Sequence, residues 1–221
     1  MSKILVLWAI AVSCCSNNVI GQRKLDEGSL LYEVSIKSAK SGSEVVNSMS
    51  GATVLIQLRQ DISRTDMTTS LGTESTVYDS KTGKGFILKE YSGQKLMITT
   101  TKQNWLQKNQ WNNTLQFSIQ NELEKIGEYN CKRATAKGED GRIFTVYFAP
   151  DITVSNKDYN NSFDQLNGLP VKFELQSGDI TFTYLLRTIK FDPISPTIFA
   201  APKAGFRVMT YEENQQLKKG K

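Results

Sequence analysis

Between Val171 and Tyr184 the chain alternates apolar and polar side chains with the two-residue period of a half-buried strand. Val171, Phe173 and Leu175 fall on one side, and Ile180, Phe182 and Tyr184 carry the pattern back. A turn at Ser177-Gly178 makes this a β-hairpin in which Leu175 faces Ile180, Phe173 faces Phe182 and Val171 faces Tyr184. Beyond it the apolar positions become Leu185, Ile189 and Phe191, on the opposite parity. Two explanations fit: a bulge near Leu185 resets the alternation, or the strand enters a zone covered from outside as well.

The same alternation recurs along the chain. It gives Tyr32, Val34 and Ile36; Ala52, Val54, Ile56 and Leu58, with Leu55 an exception; and Leu115, Phe117 and Ile119. Shorter strands are expected in RTDMTT, STVYDS, GFILKEY and QKLMITTT, separated by Gly- or Asp-bearing turns. RIFTVYFA is apolar on both parities, as in a strand buried from both sides. Two stretches read as helical. DYNNSFDQLNG offers Asp158 as N-cap with Tyr159, Phe163 and Leu166 on one face, and TTKQNWLQKNQWNN carries Trp105, Leu106 and Trp111. The tail TYEENQQLKKG, acids early and lysines late, suits a short polar helix. The expectation is a mostly-β domain of about ten or eleven strands, a strongly curved antiparallel sheet or open half-barrel with two short helical inserts as lid or plug.

Composition changes the picture at the N-terminus first. Lys3 followed by the apolar run Ile4 to Val12 reads as a secretory leader, cleaved after Gly21, leaving one domain over 22–221. A second reading makes Cys14 the lipidated residue of a lipoprotein. Either places the chain in the periplasm or outside the cell. The formal charge of +5 is spread along 221 residues, which gives no dedicated nucleic-acid patch. After the leader no apolar run is long enough for a transmembrane helix.

Candidate chemistry is sparse. There is no histidine, which removes Ser-His-Asp and Cys-His catalysis and the commonest zinc ligand. Cys131, the cysteine beyond the leader, alternates with Tyr129 and reads as a small buried residue. SKTGKGF lacks the spacing of a phosphate loop, and Glu122/Glu124 and Glu139/Asp140 read as solvated positions. No enzyme, metal or cofactor is expected.

Four segments carry a resemblance: YDSKTGKGFILKEYSGQKLM, IGEYNCKRATAKGEDGRIFTVYFAPDI, LNGLPVKFEL and PTIFAAPKAGFRVMTYEE. In this order, over about Leu30 to Glu213, the chain resembles secreted Bacteroidetes proteins of the GLPGLI type and the wider LolA/LolB group of lipoprotein carriers. After Gly168-Leu169-Pro170 the GLPGLI pattern has Gly-Leu-Ile, whereas here Val171-Lys172-Phe173 follows. The resemblance implies an incomplete antiparallel barrel closed by helices that act as a lid over an apolar cavity for acyl chains. It also implies an arginine in the early strands that secures the lid. Arg64 stands in that region by order of strands, and pairing with Asp61 or Asp66 is its plainer role.

The candidate ligand-binding residues are Phe117, Phe173, Phe182, Tyr184, Trp105, Trp111 and Arg64. Two functions follow: a carrier or binding protein for a hydrophobic ligand such as a lipid or lipoprotein acyl chain, or a non-catalytic cell-envelope interaction module whose barrel is filled by its own side chains. An envelope protein partner is compatible with both.

Overall fold

The computed structural model describes residues 21–38, 51–109, 115–138, 143–177 and 179–219. The leader, Trp111 and the Glu139/Asp140 pair lie outside them. Strands β1 (Arg23–Leu25), β2 (Glu27–Ser38), β3 (Thr53–Arg59), β4 (Ile62–Thr69), β5 (Gly72–Asp79), β6 (Lys84–Tyr91) and β7 (Gln94–Thr100) precede helix α1 (Lys102–Lys108). Then come β8 (Phe117–Ile126), β9 (Tyr129–Lys137), β10 (Ile143–Ala149), β11 (Ile152–Val154), β12 (Leu169–Ser177), β13 (Ile180–Lys190), β14 (Arg207–Thr210) and helix α2 (Tyr211–Lys219). Short 3-10 segments occupy Lys157–Phe163 and Pro196–Phe199.

Twelve strands form one sheet in the order β14-β7-β6-β5-β4-β3-β2-β13-β12-β10-β9-β8, antiparallel except for β14 beside β7. β1 and β11 make a separate parallel pair. β1, β11 and β14 add to the expected strands; at three or four residues they are too short to show periodicity. The meander β2–β7 is built by local turn chemistry. Asp79 Oδ1, for example, accepts from the backbone of Lys81 and Thr82 at 2.9 and 3.1 Å, closing the β5–β6 turn.

The hairpin β12–β13 forms with its cross-strand partners two residues away from the expected register. Phe173 faces Tyr184, Leu175 faces Phe182 and Ser177 faces Ile180, so Ser177 belongs to the ladder and not to the turn. The apolar parity is unaffected. Its later reversal comes from a bulge: Leu186 faces Tyr32, but Thr188 faces Leu31 and Ile189 faces Leu30. Arg187 is the extra residue, and it returns Ile189 to the side occupied by Leu30, Tyr32 and Val34.

That side is the core face. Leu30, Tyr32, Val34, Ala52, Val54, Ile56, Leu58, Val146, Phe148, Val171 and Phe173 are all buried there, as the alternation requires. RIFTVYFA is not covered on both sides. Phe144, Val146 and Phe148 are buried, but Ile143 is 70% exposed, with no described element packed over it. Ile119 is likewise exposed, since β8 is an edge strand whose pairing with β9 is interrupted between Ile119 and Leu123. Leu115 remains buried.

The opposite face is covered over part of its width by residues 191–206, which run from β13 to β14 at the far edge. Their Phe199, Ile194, Ile198 and Phe206 pack on Ile62, Val77, Phe86, Leu88 and Met97. Pro193 and Pro202 favour extended backbone on either side of the 3-10 turn that Pro196 opens. α1 begins with a reciprocal capping box between Thr101 and Asn104, and Asn104 Nδ2 donates to Glu212 Oε1 of α2 at 2.7 Å. Both helices are far too short to cross a membrane, and no described helix is long and apolar enough to do so.

Candidate functional site

Lys157–Phe163 begins the return from β11 to β12. The expected helix over 158–168 is instead a kinked 3-10 segment, with non-helical Asn160 (φ −153°, ψ 85°) inside it. Asn156, not Asp158, is the N-cap position, and its side chain makes no capping bond. Poor helix formers dominate the segment: two asparagines, one serine and one aspartate compete with the backbone for hydrogen bonds. The apolar positions Phe163 and Leu166 are buried and Tyr159 is partly buried against the same core, so the expected face exists without the expected helix.

Phe163 is the centre of an aromatic cluster. Its ring lies 4.8 Å from Phe173, edge-on, and 6.2 Å from Phe117. Phe173 stacks on Tyr184 at 4.6 Å and meets the Tyr32 ring edge-on at 5.8 Å. Geometries of this kind add about 0.5–1.5 kcal/mol per pair to the burial itself. Phe182 packs against the same core, across from Leu175 and Ile36. The structure thus brings Phe117, Phe173, Phe182 and Tyr184 to one face, with Phe163 seated among Phe117 and Phe173.

The remaining candidates lie elsewhere. Trp105 on α1 stacks on Tyr78 of β5 at 4.1 Å with the rings 6° apart. Arg64 is on the other face of the sheet. Its Nε bonds both oxygens of Asp66 at 2.9 Å, Nη2 donates to Ser75 Oγ at 3.2 Å, and Nη1 donates to the Ile198 carbonyl at 2.7 Å. Arg64 therefore does not line the aromatic cluster; it ties the strap to β4 while pairing with Asp66.

The electrostatics of the core face favour neutral groups. The Tyr32 phenol, fully enclosed, is pushed well up by burial and donates to the Pro170 carbonyl at 2.7 Å. Burial also raises Tyr159 and Tyr184. Cys131 is completely buried and its thiol is pushed up to about 12, chiefly by desolvation. A thiol held neutral in this way is a poor nucleophile. Among the described residues no three His, Cys, Asp or Glu side chains cluster as metal ligands.

The space beside the segment is small. A cavity of about 20 Å³, lined by Val154, Tyr159, Phe163, Leu166 and Pro170 among others, has room for roughly one water. The segment itself fits imperfectly. Both amide atoms of Asn156 and the Oδ1 of Asn161 are buried without a protein partner. Asn156 and Phe163 carry the site's two opposed tendencies, misfit and filling. Sequence reasoning placed Phe163 on a helix face but not among the site residues, and overlooked Asn156. A polar residue between buried Val154 and the apolar positions was the signal available for the latter.

No family model matches the chain, and no curated protein matches it by sequence. Among solved structures, PNGF-II in two crystal forms is similar at 11% and 10% identity, with TM-scores of 0.49 and 0.47. These matches cover 87% and 86% of this chain but only 33% and 32% of PNGF-II, so the chain spans about a third of that protein. A likeness at this level carries no argument about activity.

Proposed function

We propose that the protein binds a hydrophobic ligand of the acyl-chain class on its core face, and that residues 155–166 are a stopper occupying the ligand's place. The observation that carries this reading is the buried, unpartnered amide of Asn156 at the root of the stopper. Each buried polar group left unpaired costs about 1–3 kcal/mol. A segment that keeps such groups while burying Phe163 is held in place at a discount, and a competing apolar chain gains about 0.8 kcal/mol per methylene buried.

A half-barrel around the stopper agrees with the same contacts. Lys157–Phe163 lies against β4, while the Phe163 ring lies 6.2 Å from Phe117 on β8. Seven strand intervals separate β4 from β8 in the sheet, about 34 Å if the sheet were flat. A seven-residue 3-10 segment spans about 14 Å, and a sheet curled toward it would bring both contacts within easier reach. This is the support for the LolA/LolB-like expectation and for the carrier role it implies.

The cavity of about 20 Å³ favours a second reading, a non-catalytic envelope interaction module with a self-filled interior. Native mass spectrometry of protein from its own host, with titration of a fluorescent long-chain fatty acid, separates the two. The carrier reading expects co-purified lipid and tighter binding by Phe163→Ala, which vacates the ligand's place. Absence of lipid, and no probe binding by either form of the folded protein, would leave the self-filled module standing.

A further inference from the structure

On the face opposite the stopper, β9, β10 and β12 carry a second constellation that the hydrophobic site does not use. Arg133, Tyr147 and Lys172 sit directly across from one another on these adjacent strands. With Thr145, Glu174 and the intervening Phe173 they line a depression of about 190 Å³. The Lys172 ammonium lies 5.6 Å from the centre of the Tyr147 ring. Arg133 Nε is buried with no hydrogen-bond partner, and no carboxylate among the described residues pairs with Arg133 or Lys172. The strap packs over β4 to β7, and none of its apolar residues in that cluster reaches β9, β10 or β12.

Two cations with no carboxylate partner among the described residues, in a depression also lined by a tyrosine, select an oxyanion, which accepts charge-assisted hydrogen bonds from such groups. Glu174 narrows the choice. It shares the depression, and its only partner among the described groups is a long 3.4 Å contact from the Thr183 hydroxyl. A bare multivalent anion would be repelled by it, whereas a ligand that also carries hydroxyl groups would donate to it. The volume is below that of drug-sized pockets and suits a single ring. We infer that this depression binds an acidic sugar residue: carboxylate toward Arg133, Lys172 and Tyr147, and hydroxyls toward Glu174 and Thr145.

The test is an amide-shift NMR titration of the folded protein with D-glucuronate, D-glucose and inorganic phosphate as separate probes. Glucuronate should shift the backbone signals of Thr145, Tyr147 and Lys172 saturably, at millimolar concentrations, with glucose and phosphate far weaker. Lys172→Gln, at a half-buried position whose one described side-chain contact is with the Tyr147 ring, should leave the fold intact and weaken glucuronate at least about tenfold, the scale of one charged hydrogen bond. Glu174→Gln should weaken glucuronate while strengthening phosphate. Equal binding of phosphate and glucuronate, equal binding of glucose, an unchanged Lys172→Gln variant, or no shifts in these strands would each overturn the assignment. Because the site is on the far face from Phe163, its failure leaves the acyl-chain titration unaffected.

Discussion

Arg64 Nη1 donates to the carbonyl oxygen of Ile198 at 2.7 Å, joining positions 134 residues apart. The same guanidinium holds both oxygens of Asp66 and the Ser75 hydroxyl. One planar fork therefore fixes β4, β5 and the strap together, which a lysine ammonium cannot reproduce. Because the strap leads into β14 and α2, the contact acts on everything that follows β13.

Removing that fork should be costly. Asp66 is only 17% exposed, so Arg64→Ala leaves a largely buried carboxylate unpaired and the strap's carbonyl unbonded. The expected loss is about 2–3 kcal/mol, or a melting point lower by roughly 5–10 °C for a chain this size. Arg64→Lys should recover less than half, and removing Asp66 as well should restore part of the loss. Thermal melts of the three variants check it; an Arg64→Ala protein as stable as the parent refutes the role.

Gly28 offers a sharper test of how β2 passes β13. Its φ is +149°, and a Cβ there would stand 2.1 Å from the Lys190 carbonyl oxygen and 2.8 Å from Leu25 Cδ1. Neither the backbone carbonyl nor the buried leucine can yield cheaply. Gly28→Ala should cost about 3 kcal/mol or more, measured by urea unfolding. A neutral substitution would show that the approach of the two strands is looser than described.

The alkaline limb of stability should report the buried thiol. Cys131 and Tyr129 are both pushed up to about 12, from ordinary values of 9.0 and 10.0, with desolvation the leading cause. Raised folded values mean that the neutral forms stabilise the native state fully below the unfolded pKa. This stability is lost as pH climbs from about 9 toward 12, where the unfolded chain ionises first. The melting temperature should fall above pH 9, and Cys131→Ala should flatten the fall. Labelling by a thiol reagent at pH 8 should be blocked at Cys131 in the folded protein. Rapid labelling there under native conditions would contradict the burial.

The strands were legible because alternation at Tyr32, Val34, Val54, Ile56, Phe173 and Leu175 has a single physical cause, one covered face. The reversal at Ile189 was legible as a choice between a bulge and double cover; only cross-strand pairing decides it, through the extra residue Arg187. Phe117, Phe173 and Tyr184 were identifiable as inward because their own strands are periodic. Their meeting at Phe163 was not, since that contact joins segments between 10 and 46 residues apart along the chain. The Arg133–Tyr147–Lys172 row escaped for the same reason: polar residues on a periodic strand look solvated until three strands are aligned.

Asn156 links stability to binding. It is 8% exposed, and neither side-chain amide atom has a protein partner. Replacing it by an apolar residue of similar volume removes an unpaired polar group and adds buried hydrocarbon, so Asn156→Leu should stabilise the fold by about 1–3 kcal/mol. In most buried positions an asparagine substitution does the reverse, because it breaks hydrogen bonds. If the stopper has to leave for the ligand to enter, a better-anchored stopper must also bind acyl chains more weakly. The two changes should match in free energy, since the mutation acts on the closed form alone. A melt and a fatty-acid titration on the same preparation measure both. Stabilisation with unchanged affinity would mean that the stopper stays in place when ligand binds, and a destabilised variant would mean that the amide is paired.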